Sequence, residues 1–370
     1  MSSGELPFPG PQPLIPVSVA LLGYGYAGKT LHAPLIRGVP GLRLAAVMSS
    51  RAPHVHADLP GVPVVPSPED VFVDPAIDLV VIATPNDTHF DLARRALTAG
   101  KHVVVDKPFT ITAAEASALR ALAERTGRLL SVFQNRRWDA DFLTVSQLLA
   151  GGELGDVVHF ESHYDRYRPV VLKRWREGAG PGAGIWYDLG SHLLDQALEL
   201  FGPPDSIFAD LAVQRSGGVA VDYFHVLLRC GRMRVILHAG NLVAGTVRRF
   251  EIHGARGSFV KYGMDPQEDA LKRGAPPGGP GWGADPQEGV LTTWLEDAPR
   301  VRQLPMIPGN YPAYYQAIRD AIQNGAPNPV TPAEALAVMS LLELALRSAR
   351  EGRELQCPDD GRRRSPPETR

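Results

Sequence analysis

Cysteine is nearly absent: Cys230 and Cys357 are the only two in 370 residues. They lie far apart, the second in a polar C-terminal stretch, so no disulfide framework organises the fold. The compartment expected for such a chain is the reducing cytoplasm. Long apolar runs are missing too. No uninterrupted stretch approaches the ~20 residues that span a bilayer. The N-terminus, Met1 to Pro13, has neither a basic start nor the apolar segment of a secretory signal, and reads as a short disordered leader, 1–13. Nor is there an excess of basic charge. The 38 Lys and Arg face 40 Asp and Glu, a formal net charge of −2. Phosphate binding is mainly electrostatic, so this balance argues against a dedicated nucleic-acid or membrane-surface protein.

What is present suits an ordinary globular chain: 44% hydrophobic and 21% charged residues, with length enough for two cores. From Val17 to Arg137, short apolar runs alternate with amphipathic stretches. Strands are expected at 17–22, 42–47, 78–83, 102–105 and 129–132, with helices at 28–36, 88–99 and 112–125. Strands apolar almost throughout are covered on both faces, and their alternation with helices implies a parallel, doubly wound sheet. After Ala150 the pattern changes. Strand-like stretches at 157–164, 206–214, 223–228, 234–239 and 246–253 surround one helix, about 185–200. That implies a mostly antiparallel sheet with helices on one face. The Gly- and Pro-rich stretch 263–283 is expected to form an ordered excursion or a loop over a site. Helices at 311–324 and 332–350 complete the domain, and 357–370 is expected to be disordered.

Gly23-Tyr24-Gly25-Tyr26-Ala27-Gly28 matches G-x-G-x-x-G. The pattern alone is weak, and a structural loop would satisfy it. Its context is stronger: it follows the first strand and opens a helix, where a dinucleotide pyrophosphate sits. Gly23 permits the tight turn, Gly25 close backbone approach, and Gly28 packing of helix on strand. The second strand bears on the choice of cofactor. NAD-binding units carry an acidic residue at its end, whereas here it runs into Ser49-Ser50-Arg51. Two hydroxyls and a guanidinium suit a 2′-phosphate, so NADP(H) is expected, unless Arg51 is merely a solvated loop charge. His54 and His56 follow, on what reads as a surface loop, and no metal site is expected.

Ala83-Thr84-Pro85-Asn86-Asp87-Thr88-His89 closes another strand at the carboxyl edge of the sheet, where open α/β folds place ligands. Asp87 or Thr88 is placed to cap the next helix, and Pro85 and Asn86 to flank the nicotinamide. Asp106-Lys107-Pro108 follows the next strand at the same edge, setting Lys107 near the nicotinamide. There a partly desolvated amine would hold or move a hydroxyl proton. Gly184 to His192 supplies the other half. Asp188 and His192 are four residues apart, on one helix face. A carboxylate binds a sugar hydroxyl, and an imidazole shuttles its proton near neutral pH. The plainer reading makes Asp188 a helix cap and His192 a core residue.

Together these strings resemble the glucose–fructose oxidoreductase, inositol dehydrogenase and rhizopine-catabolism (Gfo/Idh/MocA) family, from about Leu14 to Arg350. The resemblance implies an α/β protein: an N-terminal Rossmann domain, 14–137, then a substrate and oligomerisation domain, 138–356, with a large, open, mostly antiparallel sheet. It implies a catalytic lysine at Lys107, Asp188 and His192 at the substrate, and a cis bond before Pro108. Two positions depart from the family pattern: Asp106 replaces the usual glutamate, and Ala183-Gly184 the usual glycine pair. Further strings look like the NADP-dependent scyllo-inositol dehydrogenase branch: Gly25 to His32, Gln134 to Asp139, Ser162 to Arg168, and Arg174 to Glu177. On this reading Thr84, Pro85, Asn86, His89, Asp106, Lys107 and Asn135 join the glycine turn and Ser49–Arg51 around the cofactor. Asn135, His163, Tyr164, Arg166 and Trp175 line a polyol pocket with Lys107, Asp188 and His192. The basic, aromatic stretch 163–176 lacks any nucleic-acid module around it, and part of it suits a dimer contact.

The expected function is hydride transfer between NADP(H) and a secondary alcohol carbon of a polyol or sugar. Two alternatives stand beside it: a non-catalytic dinucleotide sensor or regulator, and a reductase of another carbonyl, dihydrodiol or imine. A sensor would be expected to lose the lysine or the Asp/His pair, and all three are present. An open sheet face needs covering, which implies a homodimer or homotetramer.

Overall fold

The structure is a computed structural model, which describes residues 15–358 apart from Glu296. The expected leader, 1–13, and the tail beyond Pro358 lie outside the described residues. Cys357 does not begin a loose tail: its N–H donates to Asp205 O at 2.9 Å.

Six parallel strands form the first sheet: β1 (Val17–Leu22), β2 (Leu42–Met48), β3 (Val64–Val65), β4 (Leu79–Ile82), β5 (His102–Val105) and β6 (Leu130–Val132), in the order β3-β2-β1-β4-β5-β6. Every residue of β1 and β4 is buried. Each such Val, Leu or Ile contributes about 1.5–3 kcal/mol over exposure, which is why these runs are apolar throughout. The helices between are α1 (Ala33–Gly38), α2 (Ala52–Asp58), α3 (Pro68–Phe72), α4 (His89–Thr98) and α5 (Ala113–Thr126). Helix α5 starts at a Thr112/Glu115 capping box and stops at left-handed Gly127. The strand order reverses direction between β1 and β4, so the ligand crevice of this sheet lies at their carboxyl ends. Strand β3 and helices α2 and α3 carry no periodic signal in the sequence; the two valines between Pro63 and Pro66 are too few to show one.

Helix α6 (Ala140–Ala150) leads into a nine-stranded sheet. Its strands are β7 (Val157–His163), β8 (Ser206–Ala212), β9 (Tyr223–Cys230), β10 (Met233–Gly240), β11 (Arg248–Gly254), β12 (Gly257–Tyr262), β13 (Gly289–Leu295), β14 (Ala298–Leu304) and β15 (Leu355–Gln356). They run β14-β13-β12-β11-β7-β10-β9-β8-β15. All neighbours are antiparallel except β7 and β10. The sheet is thus larger than the five strands read from sequence. Strand β14 is exposed along most of its length and shows no alternation. Helix α7 (Ser191–Phe201) buries Leu193, Leu194 and Ala197 in the core. The opposite face of the sheet is half-exposed and mixed, with His225, Arg229 and His238 standing among Leu227 and Ile236.

The excursion at 263–283 contains a short helix, α8 (Gln267–Lys272). Helices α9 (Pro312–Asn324) and α10 (Pro332–Glu351) return to the first sheet. Tyr314 on α9 donates to Ser131 Oγ of β6 at 2.9 Å, and Glu343 on α10 accepts from Ala113 N of α5 at 2.9 Å. The two halves therefore share one core. Among the described residues, no helix is long and apolar enough to cross a membrane.

Candidate active site

The glycine turn is built by contact constraints. Gly23 has φ +95°, and a Cβ there would lie 2.6 Å from Ala83 O. A Cβ on Gly28 would lie 2.2 Å from Gly23 O, so any side chain would break the turn from within. A Cβ on Gly25 would meet nothing within 4 Å. Gly25 thus presents bare backbone to open space at the start of a helix that runs from a wide turn, Gly28–His32, into α1. Such a cradle fits a pyrophosphate, because helix N-termini offer unpaired N–H groups and partial positive charge. Ala27 lies half-buried inside the turn. Tyr24 reaches Asp58 at 3.4 Å, and Tyr26 donates to Glu268 on α8. The excursion therefore does reach over the glycine turn.

At the end of β2, Ser50 and Arg51 are exposed, and Ser49 Oγ accepts from Arg51 N at 3.1 Å. Beyond β4, Thr84 and Thr88 hydroxyls pair at 2.6 Å, and Thr88 Oγ1 donates to Pro85 O at 2.7 Å. Neither Thr88 nor Asp87 caps α4 with its side chain; the Thr88 hydroxyl is spent inside the turn. Pro85 is exposed, whereas Asn86 is buried and donates to Gly182 O at 3.0 Å, tying this edge to the second half. His89 is buried, its ring set between Pro108 O at 2.9 Å and Thr84 O at 3.1 Å. Burial holds its pKa below the usual imidazole value. It bolts the Thr84 turn to the Lys107 turn rather than presenting a free edge to a ligand.

Lys107 precedes a cis peptide bond to Pro108. Asp106 Oδ1 accepts the Lys107 N–H at 2.8 Å. Asp106 is buried, yet its neighbours His32, at 3.8 Å, and Lys107 outweigh that burial and keep its carboxyl below the usual range. The Lys107 ammonium donates to both Asp188 Oδ1, at 2.8 Å, and Asp188 O, at 2.7 Å. Two guanidinium groups also face that carboxylate: Arg176 at 3.5 Å and Arg166 at 3.9 Å. Against its burial, these cations, Lys107 first, hold Asp188 well below the usual carboxylate range.

Asp188 sits in a wide turn, Trp186–Gly190, whose last residue leads into α7. The turn is tight on one side, since a Cβ on Gly190 would strike the Trp186 ring at 2.3 Å. His192, 4% exposed, faces Gln134 Oε1 through Nδ1 at 3.1 Å. Burial, then the charges of Lys107 and Arg136, push its pKa well below the usual value. Nδ1 therefore carries the proton, and Nε2 keeps its lone pair. Although four residues apart on one helix face, the side chains of Asp188 and His192 are not hydrogen-bonded to each other. Gln134 orients His192, and Asp188 holds Lys107.

Of the remaining expected residues, Asn135 is buried on the short turn that follows β6. Tyr164 is 2% exposed, so it backs the ring of His192 edge-on, at 6.3 Å between centroids, instead of lining a pocket. Trp175 is exposed beneath the Arg176 guanidinium. His163 lies on the opposite, outer face of the second sheet, because Phe160, Ser162 and Tyr164 point inward. A cavity of about 770 Å³ between Ile111, Tyr187 and α10 includes none of the catalytic candidates. Gln134 and Arg176 were not among the expected site residues. Both lie inside strings that carry the family resemblance, but nothing in a string says which member turns toward the site.

A family profile described as "Oxidoreductase family, NAD-binding Rossmann fold" matches residues 17–134, and "Oxidoreductase family, C-terminal alpha/beta domain" matches 146–357. The chain is 57% identical to "Uncharacterized oxidoreductase YdgJ" of Escherichia coli strain K12, over 90% of this chain and 96% of that one. It is 42% identical to scyllo-inositol 2-dehydrogenase (NADP(+)) IolW of Bacillus subtilis strain 168, over 91% and 95%. The structure of a putative oxidoreductase from Yersinia pestis superposes with a TM-score of 0.90 at 55% identity, covering 93% of this chain and 97% of that one. With its parallel dinucleotide-type sheet, its larger mostly antiparallel sheet and these matches, the chain belongs to the Gfo/Idh/MocA oxidoreductase family.

Proposed function

We propose that the protein is an NADP(H)-dependent dehydrogenase of a secondary alcohol carbon in an inositol-like polyol or sugar. The observation that carries this reading is the convergence of Lys107, Asp188 and His192 from both halves of the chain, at the edge where the glycine turn opens. Bound nicotinamide would accept or supply the hydride. The Lys107 ammonium, anchored by Asp188, binds the reacting hydroxyl through a remaining N–H. His192, kept neutral, offers Nε2 to take the hydroxyl proton as the carbon is oxidised, and returns it on reduction. Arg166 and Arg176 hold the Asp188 carboxylate ionised and bind neighbouring hydroxyls. Ser49, Ser50 and Arg51 support NADP(H) over NAD(H), as does the coenzyme in the name of the Bacillus relative. The cytoplasm as compartment, and a homodimer or homotetramer built on the outer sheet face, belong to the same reading. Light scattering tests the assembly.

The purified protein, given NADP⁺ or NAD⁺ with a panel of inositols, aldoses and diols at several pH values, should reduce NADP⁺ preferentially with a cyclic polyol. Lys107→Ala should lower kcat by roughly 10²–10⁴-fold while NADPH still binds by fluorescence titration. Ordinary turnover in that variant, or no coenzyme reduction with any alcohol, would overturn the proposal.

A further inference from the structure

The outer face of the nine-stranded sheet carries a histidine row unconnected with the hydride-transfer site. Register places His225 on β9 opposite His238 on β10, and His238 beside His163 on β7. Asp165, two residues past His163, closes over the row. Its carboxylate lies 3.5 Å from His163 Nδ1 and 3.2 Å from His238 Nε2. One donor atom from each of His163, Asp165 and His238 falls within 4.8 Å of the others.

From these residues we infer a divalent transition-metal site of the zinc type, ligated by His163 Nδ1, His238 Nε2 and an Asp165 oxygen, with water completing the shell. Two imidazoles and a carboxylate are an established donor set for zinc. Bonds of about 2.0–2.1 Å at tetrahedral angles set neighbouring donors about 3.3 Å apart; each imidazole stands near that distance from a different Asp165 oxygen, His163 Nδ1 from Oδ2 and His238 Nε2 from Oδ1. Small turns of the two rings close the remaining gap.

Two further observations point to a ligand. His163 Nε2 faces Glu161 Oε2 at 2.9 Å. A carboxylate behind a ligating imidazole fixes the tautomer and leaves Nδ1 as the donor. His238 Nδ1 is buried without any hydrogen-bond partner, which leaves Nε2 as the ring's one polar outlet toward the cluster, and Tyr223 packs edge-on against its ring at 5.3 Å. Asp165 Oδ1 is itself fixed by the Gly240 N–H at 2.9 Å.

The test uses full-length protein stripped with a chelator and titrated with Zn²⁺ alone, and with Co²⁺ as an optical probe. One equivalent per chain should bind at micromolar concentration, with visible cobalt bands of nitrogen and oxygen ligation. His163→Gln and His238→Gln should each abolish that binding. Glu161→Gln should weaken it ~10-fold, and His54→Gln should leave it unchanged. Asp165→Asn is the harsher variant, because Asp165 also holds the Gly240 backbone. The two histidine variants sit on a half-exposed face and carry the test if it misfolds, with circular dichroism as the check on folding. Absence of binding overturns the inference. So does binding that both histidine variants leave intact, which would place the metal elsewhere.

Discussion

Arg51 stands exposed beyond the last residue of β2, with no carboxylate in Ser49-Ser50-Arg51 to repel a phosphate. Arg51→Ala should raise the Kd for NADPH by about 10-fold or more, the value of one charge-assisted contact, and leave NADH binding nearly unchanged. Equal losses for both coenzymes in parallel fluorescence titrations would count against a 2′-phosphate contact. His192 supports a second prediction. Burial and the cations Lys107 and Arg136 keep its ring neutral at pH 7. Acidification protonates the base and stops its work, but only below the ordinary imidazole value of about 6.5. The acid limb of kcat/KM in the oxidation direction should therefore lie on the acid side of that value. In His192→Asn the limb should vanish, with kcat reduced roughly 10²–10⁴-fold. A limb that persists unchanged would assign it to another group. At this scale the sequence was legible where a motif dictates backbone, as with Gly23 and Gly28, and where a strand end fixes a position, as with Lys107. It was opaque where role depends on direction. Asp188 and His192 share a helix face, yet one turns to Lys107 and the other to Gln134, and spacing alone does not separate those outcomes.

Among the elements, strands buried on both faces were readable to within a residue or two, because their apolar runs admit no other placement. Edge elements were not. Strand β14 is polar and exposed, and β3 is two residues long, so neither shows a period. The metal-type cluster was invisible for a related reason. His163 and His238 are 75 positions apart in the chain and neighbours only through the parallel pairing of β7 with β10. The short helix α8 was likewise hidden in a Gly- and Pro-rich stretch, yet it meets the glycine turn through Tyr26 and Glu268. Arg136 also pairs with Glu268 and joins it to Tyr311 and the buried Asp139. Tyr26→Phe removes one strut of this junction and leaves the turn's backbone as it was. In stopped flow, NADPH release from the variant should be several-fold faster, the effect of losing one half-exposed hydrogen bond of about 1 kcal/mol. An unaltered off-rate would show that α8 and the turn move independently of the coenzyme.

The whole molecule has a connectivity that its linear order conceals. The sequence divides cleanly near residue 137, but helices from the far end of the chain complete the first core. Tyr311, Tyr314, Tyr315 and Ile318 are fully buried, and His32 of the N-terminal half meets the Tyr315 hydroxyl at 2.6 Å. A fragment ending at Arg137 would expose the surface these residues cover, including Phe133 and β6. It should be unstable or aggregate, whereas the intact chain should melt in one transition by calorimetry. A soluble fragment with a cooperative melt would show that the first sheet needs no such cover.

The contact of α8 with the glycine turn bears on the order of events in turnover. The glycine turn belongs to one half of the chain and the helix that meets it to the other, so a coenzyme held beneath both would leave only as that helix loosens. Coenzyme should then be the first reactant on and the last product off. Product-inhibition patterns would register this as competition between the oxidised and reduced nucleotide alone.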